Sequence, residues 1–162
     1  TPPPPAGDFV INEILADPGT SDGDSNCDGL ISTTQDEFIE FYNLSDAAVD
    51  LSNATLSDAV VVRHTFAPGT VVQPGARLVV YGAGIPSCGI DAVVSSTGPL
   101  GLNNSGDSIT LASASGTVLD EVVYGQSPTD AAWVRFPEGQ ASSGFVNHAD
   151  SGSPYSAGVP TP

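Results

Sequence analysis

The sequence contains no lysine and no methionine, and its 162 residues include one tryptophan and two cysteines. Three arginines stand against 19 acidic residues, so the formal net charge is −16. Such a charge disfavours binding to nucleic-acid phosphates or anionic lipid. No apolar run reaches the roughly 18 residues that a membrane span requires. The sequence therefore predicts no nucleic-acid partner and no membrane insertion.

Groups suited to catalysis are scarce. The adjacent acids at 36–37 and 120–121 lie in predicted strands, where neighbouring side chains point to opposite faces, whereas a glycosidase needs two carboxylates facing one cleft. His64 alternates with apolar residues and is predicted to be a core or boundary histidine. His148 lies in a polar region, so the two histidines predict no transition-metal site. We expect no enzyme activity.

An acidic stretch at 22–29 reads DGDSNCDG. Oxygen-bearing side chains alternate at Asp24, Asn26 and Asp28, and Gly29 then allows a sharp turn, which is the opening of an EF-hand-type calcium loop. The twelfth loop position is Gln35, with acids one and two places later. Neither flank has the pattern of an amphipathic helix. The sequence predicts a calcium loop on a β scaffold; a solvated acidic turn on a salt-adapted surface is the alternative.

The predicted cofactor is Ca²⁺, which takes six to eight oxygen ligands. The candidate ligands are the side chains of Asp24, Asn26 and Asp28, the carbonyl of Leu30, the closing carboxylate of Asp36 with Glu37 as its substitute, and Asp22 and Asp17, which complete the shell or serve a second ion.

The two cysteines are Cys27, inside the acidic stretch, and Cys88. A disulfide between them would close a long loop, stabilise the fold by roughly 4 kcal/mol and fix the acidic stretch to the domain. Two unrelated buried thiols are the alternative. The disulfide predicts an oxidising location, secreted or at the cell surface.

Proline-rich segments flank the chain. The expected organisation is a tail at 1–8, one domain at 9–150, and a Pro/Gly/Ser-rich tail at 151–162. Proline-rich segments favour extended polyproline II and act as semi-rigid spacers. The sequence therefore predicts self-association, or contact with neighbouring modules, through these tails; ordinary linkers that pack on their own domain are the alternative.

The region between the tails has an all-β pattern, with short runs of Val, Ile, Phe, Tyr and Thr bounded by Gly, Pro, Asn and Asp. The predicted strands lie near 9–15, 37–43, 48–51, 55–66, 77–82, 90–94, 107–112 and 117–124, the last two forming a hairpin. Their number and length predict an immunoglobulin-like β-sandwich of about 7–9 strands.

Several motifs follow one another along the chain: VINEI at 10–14, DEFIEFYN at 36–43, VDL at 49–51 and a further run from Pro68 to Val80. Their order resembles that of the lamin tail domain family. The first three motifs are similar to the family's opening, although Ala54 and Thr55 replace its usual Gly-Trp, and the last run is similar to the family's central segment.

The second half of the family pattern resembles LNNSGDSITL at 102–111, GTVLDEVVY at 116–124 and WVRFPEG at 133–139. The resemblance implies an immunoglobulin-like sandwich without catalytic machinery, of the secreted bacterial type with an acidic DxNxDG insertion. Glu13 and Glu40 match acidic family positions, which implies a structural hydrogen bond to a turn.

We therefore expect a non-enzymatic, calcium-stabilised extracellular module with a structural or adhesive role, as a repeat or subunit of a fibre or cell-surface array. An accessory binding module of a larger secreted hydrolase is the alternative. Three glycosylation sequons begin at Asn43, Asn53 and Asn103.

Overall fold

The structure is a computed structural model that describes residues 8–21, 23–138 and 140–162. The described residues form twelve strands and one short 3₁₀ helix. These are β1 (Phe9–Leu15), β2 (Phe38–Asn43), β3 (Val49–Asp50), β4 (Thr55–Ser57), β5 (Val62–Thr65), β6 (Val71–Val72), β7 (Arg77–Tyr81), β8 (Ala92–Val94), β9 (Asp107–Ala112), β10 (Val118–Tyr124), β11 (Trp133–Arg135), β12 (Phe145–Asn147) and the helix His148–Ser151. No helix in this part of the chain could cross a bilayer.

The strands form an immunoglobulin-like β-sandwich, which confirms the predicted fold class. One sheet has the order β12-β11-β1-β2-β7-β8, the second has the order β10-β9-β4-β5, and β3 pairs with β6. All pairs are antiparallel except β7 with β8. The strands outnumber the predicted ones because several contain only two or three residues, too few to show an alternating pattern.

The predicted strand at 55–66 is instead a hairpin of β4 and β5. The Asp58 carboxylate causes the break, because its Oδ1 accepts hydrogen bonds from the backbone N–H groups of Val60 and Val61 at 2.7 Å each. The predicted hairpin of β9 and β10 is confirmed.

The main core lies between the two larger sheets, where Phe9 stacks on Phe41 and Phe41 meets Phe66 edge-on, each at 5.9 Å between ring centroids. A smaller apolar cluster, which includes Leu15, Phe38 and Tyr81, lies on the other face of the six-stranded sheet. That sheet is therefore covered on both faces, and every residue of β1 is buried. Polar side chains of β1 must consequently find partners in the interior.

Candidate functional site

The acidic loop, residues 24–36, folds around its own side-chain oxygens. Asp24 accepts hydrogen bonds from the N–H groups of Asp28 (3.1 Å) and Gly29 (3.0 Å). Asn26 Oδ1 also accepts from the Asp28 N–H, at 2.9 Å. Cys27 and Gly29 have φ values of 60° and 87°, so the chain turns sharply here, as the sequence predicted for Gly29.

Asp28 links the acidic loop to a second segment of the chain. Its Oδ1 accepts from the Leu30 N–H at 2.9 Å, and its Oδ2 accepts from the Ile85 N–H at 3.2 Å. Gly84 lies so close that a Cβ there would be 2.5 Å from Asp28 Oδ2 and 2.6 Å from Asn26 Nδ2. A side chain at position 84 would therefore displace the side chains of Asp28 and Asn26.

Asp36 closes the acidic loop from within, with a fully buried side chain. Its two carboxylate oxygens accept from the N–H groups of Asn26 (3.2 Å) and Ser32 (2.8 Å). Burial raises the pKa of Asp36 above its usual range, against the effect of these hydrogen bonds, and repulsion from Asp24 and Asp28 raises it further. Three carboxylates therefore share one electrostatic environment in the loop.

The predicted disulfide between Cys27 and Cys88 is confirmed, and it joins the acidic loop to the segment that follows β7. The Tyr81 hydroxyl donates to the Ser25 carbonyl at 2.7 Å, and the Ser87 N–H donates to the Asn26 carbonyl at 2.8 Å. The loop is thus held by covalent and polar contacts on one side.

Other predicted ligands lie elsewhere. Glu37 is buried and its Oε2 accepts from the N–H groups of Gly101 (2.8 Å) and Leu102 (3.3 Å), while burial raises its pKa to about 7. Asp17 accepts from Asn104 Nδ2 at 2.7 Å. Asp22 lies outside the described residues. Neither Glu37 nor Asp17 joins the hydrogen bonds that build the acidic loop.

None of the three arginines neutralises the acidic loop. Arg63 pairs with Asp58, Arg77 with Glu40 and Glu138, and Arg135 with Asp120, and the chain has no lysine. Among the described residues, no group of three or more His, Cys, Asp and Glu side chains could hold a metal ion. The candidate set at Asp24, Asn26 and Asp28 instead combines carboxylate and amide oxygens, which are the ligands that hard cations such as Ca²⁺ prefer.

A second group of carboxylates is buried on the outer face of the six-stranded sheet. Glu13 and Glu40 lie directly opposite each other on β1 and β2, and both are fully buried. Like charges in this position are destabilising. Burial raises the pKa of Glu13 to about 7 and, together with repulsion from Glu13, the pKa of Glu40 to about 8.

Arg77, Asn12 and Glu138 complete this group. Arg77 lies 3.4 Å from Glu40 Oε1 and 3.0 Å from Glu138 Oε2. Asn12 Nδ2 donates to both acids, at 2.7 and 3.1 Å. Although burial opposes it, the Asn12 hydrogen bond and Arg77 hold the pKa of Glu138 below its usual range.

Residues 153–162, here called the C-terminal segment, lie over these acids. The N–H groups of Ser156, Gly158 and Thr161 donate to Glu13 (2.9 Å), Glu40 (2.7 Å) and Glu138 (3.1 Å), respectively. The region predicted to be a C-terminal tail therefore covers the sheet. Glu13 and Glu40 accept structural hydrogen bonds from a turn, as the family resemblance implied, and this turn, at 156–159, lies in the C-terminal segment.

Sequence reasoning missed the role of His148, which is fully buried. Its Nδ1 lies 2.8 Å from the Ser153 carbonyl, and its Nε2 lies 2.8 Å from Ser156 Oγ. Ser156 Oγ in turn donates to Glu13 Oε2 at 2.8 Å. The serine therefore lies between histidine and carboxylate, whereas a hydrolytic triad needs the histidine in the middle. No local signal in the sequence marks this chain of contacts.

The Ser156 hydroxyl links the histidine ring to the buried carboxylate. Because the Ser153 carbonyl only accepts, His148 Nδ1 donates to it. The ring is thereby held with its Nε2 against Ser156 Oγ, whose hydrogen bond to Glu13 completes the chain of contacts.

The remaining residues singled out from the sequence are His64 and the three asparagines of the glycosylation sequons. His64 is buried, packs edge-on against Phe66 at 4.5 Å, and burial lowers its pKa, which confirms a core histidine. Asn43 is fully buried and its Nδ2 donates to three carbonyls, so the folded chain cannot carry a glycan there. Asn53 and Asn103 are exposed.

No curated protein matches this chain. The Lamin Tail Domain family model matches residues 2–126, which include the acidic loop and β1–β10 but neither His148 nor the C-terminal segment. This family consists of non-enzymatic, immunoglobulin-like structural domains, in agreement with the sandwich and with the motifs at 10–14, 36–43 and 102–124. The chain belongs to the lamin tail domain family.

Proposed function

We propose that this protein is a non-enzymatic structural or adhesive module of the bacterial cell surface or extracellular space. In this proposal calcium stabilises its acidic loop, and modules associate with one another in a fibre or surface array. The observation that supports it best is the acidic loop itself. Asp24, Asp28 and Asp36 share one environment without a lysine or arginine, and a disulfide holds the loop to the sandwich.

Calcium would relieve this repulsion. The side-chain oxygens of Asp24, Asn26 and Asp28 and the Leu30 carbonyl would bind the ion. Each carboxylate oxygen that accepts one N–H keeps a second lone pair, so the hydrogen bonds within the loop leave acceptor capacity for a cation. Water would supply the remaining ligands, as is common for calcium. Asp36, whose side chain is fully buried while those of Asp24 and Asp28 are partly exposed, would position the loop.

The disulfide supports an extracellular location, because cytosolic thiols are kept reduced. The alternative, a carbohydrate-binding accessory module of a hydrolase, would need a platform of exposed aromatic rings. Among the described residues only Phe136 is an exposed aromatic, and Tyr81 and Tyr124 are buried. This distribution favours the structural role.

Thermal unfolding with calcium and with EDTA tests the proposal. A ligand at about 100 times its Kd stabilises the native state by about 2.7 kcal/mol, so calcium should raise the Tm clearly. The double substitution Asp24→Asn and Asp28→Asn should abolish the rise. The double substitution Asp46→Asn and Asp91→Asn, which removes the same two charges from exposed sites outside the loop, should preserve it. An unchanged Tm for the unmodified protein would reject calcium stabilisation.

A further inference from the structure

We propose that the outer face of the six-stranded sheet is a peptide-docking site that accepts the C-terminal segment of a second copy of this chain. We call this surface the carboxylate groove and define it by Glu13, Phe38, Glu40, Ile90 and Glu138. The inference rests on the proposed self-association, for which it names the contact. The groove holds the chain's own segment in the monomer, so the chemistry of its occupant is known.

Recognition uses the backbone of the segment. The three N–H donors at Ser156, Gly158 and Thr161 meet carboxylates from three parts of the domain. The bond to Glu138, which pairs with Arg77, has an ionised acceptor and is therefore stronger than a hydrogen bond between neutral groups. The segment SPYSAGVPTP has no charged side chain, so its docking on a protein of net charge −16 adds no charge repulsion of its own.

Side chains fix the position of the segment along the groove. Tyr155 packs edge-on against Phe38 at 6.1 Å, and Ala157 contacts the same apolar cluster. At Gly158 a Cβ would lie 2.7 Å from the Ile90 Cβ, and φ is +76°. The groove therefore selects glycine two residues after Ser156, both for space and for backbone conformation.

The same contacts can form between two copies. The C-terminal segment forms no strand, so its departure leaves every strand pair of the sheets in place. It follows Gly152, whose φ is +96°, a position at which the chain can change direction. An open groove would expose the apolar cluster at Leu15, Phe38 and Tyr81, so an occupant remains favourable. Exchange of an identical element is a low-cost route to a dimer.

The first test uses the full chain with Gly158→Ala, which should expel its own segment and leave the groove open. A fluorescent peptide of residues 153–162 should bind this variant saturably, as measured by anisotropy. Binding to the unmodified chain should be at least about tenfold weaker, because the chain's own segment competes at a high effective concentration. A peptide carrying Gly158→Ala should not bind.

Gly116→Ala is the matched control. Gly116 has a similar φ of +82°, but a Cβ at this position would have no atom within 4 Å. The substitution therefore imposes similar backbone strain but no steric clash. The peptide should bind this variant as weakly as it binds the unmodified chain. Strong peptide binding to Gly116→Ala would show that general destabilisation, not groove opening, creates the site, and would overturn the proposal.

Complementation tests the exchange between copies. Gly158→Ala supplies an open groove, and a chain with Ile90→Trp, whose larger side chain would block the tight site over Gly158, supplies an intact segment on a closed groove. Mixed at high concentration, they should form a heterodimer by size-exclusion chromatography with light scattering. If both remain monomeric and folded, and the peptide fails to bind, the inference is wrong. Calcium should still raise the Tm of both variants, so this failure is distinguishable from failure of the proposed function.

Discussion

The acidic loop and the carboxylate groove each bring three carboxylates together, but only the groove contains a positively charged side chain. In the groove, Arg77 lies between Glu40 and Glu138, and backbone N–H groups of the C-terminal segment meet all three acids. In the loop, among the described residues, the carboxylates accept hydrogen bonds from backbone N–H groups and pair with no positively charged side chain.

Burial explains the difference. Glu13 and Glu40 are removed from water, where an unpaired charge is costly, so protons, Arg77 and hydrogen bonds must neutralise them within the protein. Asp24 and Asp28 lie nearer the surface, where a dissolved cation can reach them. The groove is therefore expected to respond to pH and the acidic loop to calcium.

The largest expected effect comes from removal of the disulfide. Replacing Cys27 and Cys88 by serine releases a link across 61 residues and should lower the free energy of unfolding by about 4 kcal/mol. Urea denaturation measures this loss. The calcium-induced rise in Tm should also shrink, while peptide binding to the open groove should persist. A double-serine variant with unchanged stability would show that the other contacts hold the loop.

The next effect is a pH dependence of the groove. The pKa values of Glu13 and Glu40 in the folded state are raised to about 7 and about 8 from 4.5. The folded state therefore binds more protons than the unfolded state above about pH 4.5. Stability from these groups is fully present below that pH and is lost as the pH rises through 7 and 8. Undocking of the segment limits the loss, because it rehydrates both carboxylates.

Urea midpoints measured from pH 5 to pH 9 would show this decline. Glu13→Gln with Glu40→Gln should flatten it, because neither amide titrates. Glu121→Gln changes an exposed acid and should leave the slope intact. A decline that persisted in the double variant would show that Glu13 and Glu40 do not cause it. A flat profile in the unmodified protein after calcium removal would show that the acidic loop, not the groove, causes the pH dependence.

The smallest effect tests the link between His148 and Glu13. Ser156→Ala removes the hydroxyl that contacts both, which should destabilise the protein by about 1–2 kcal/mol. Ser115→Ala, in an exposed turn, should cost less. Because the Ser156 hydrogen bond lowers the pKa of Glu13, Ser156→Ala should also shift the decline of the urea midpoint to higher pH. An unshifted decline would show that the Ser156 hydroxyl does not act on Glu13.

The acidic loop could be predicted in large part because its signals are local. Asp24, Asn26, Asp28 and Gly29 act on one another within five residues, through the hydrogen bonds observed here. The position of Glu37 was not predictable, because its partners at Gly101 and Leu102 are 64 and 65 residues away. The hairpin at 55–66 was missed because one aspartate interrupts a continuous apolar pattern.

The sequence by itself determined the all-β class, the family motifs, the pairing of the only two cysteines and the turn of the acidic loop. Each depends on alternation, spacing or composition, which a linear chain displays. The tertiary structure alone decided that Glu13 and Glu40 are buried and that the C-terminal segment covers them. Their contacts join residues 143 and 118 positions apart, and such pairings arise only when the sheet has formed and its outer face must be shielded from water.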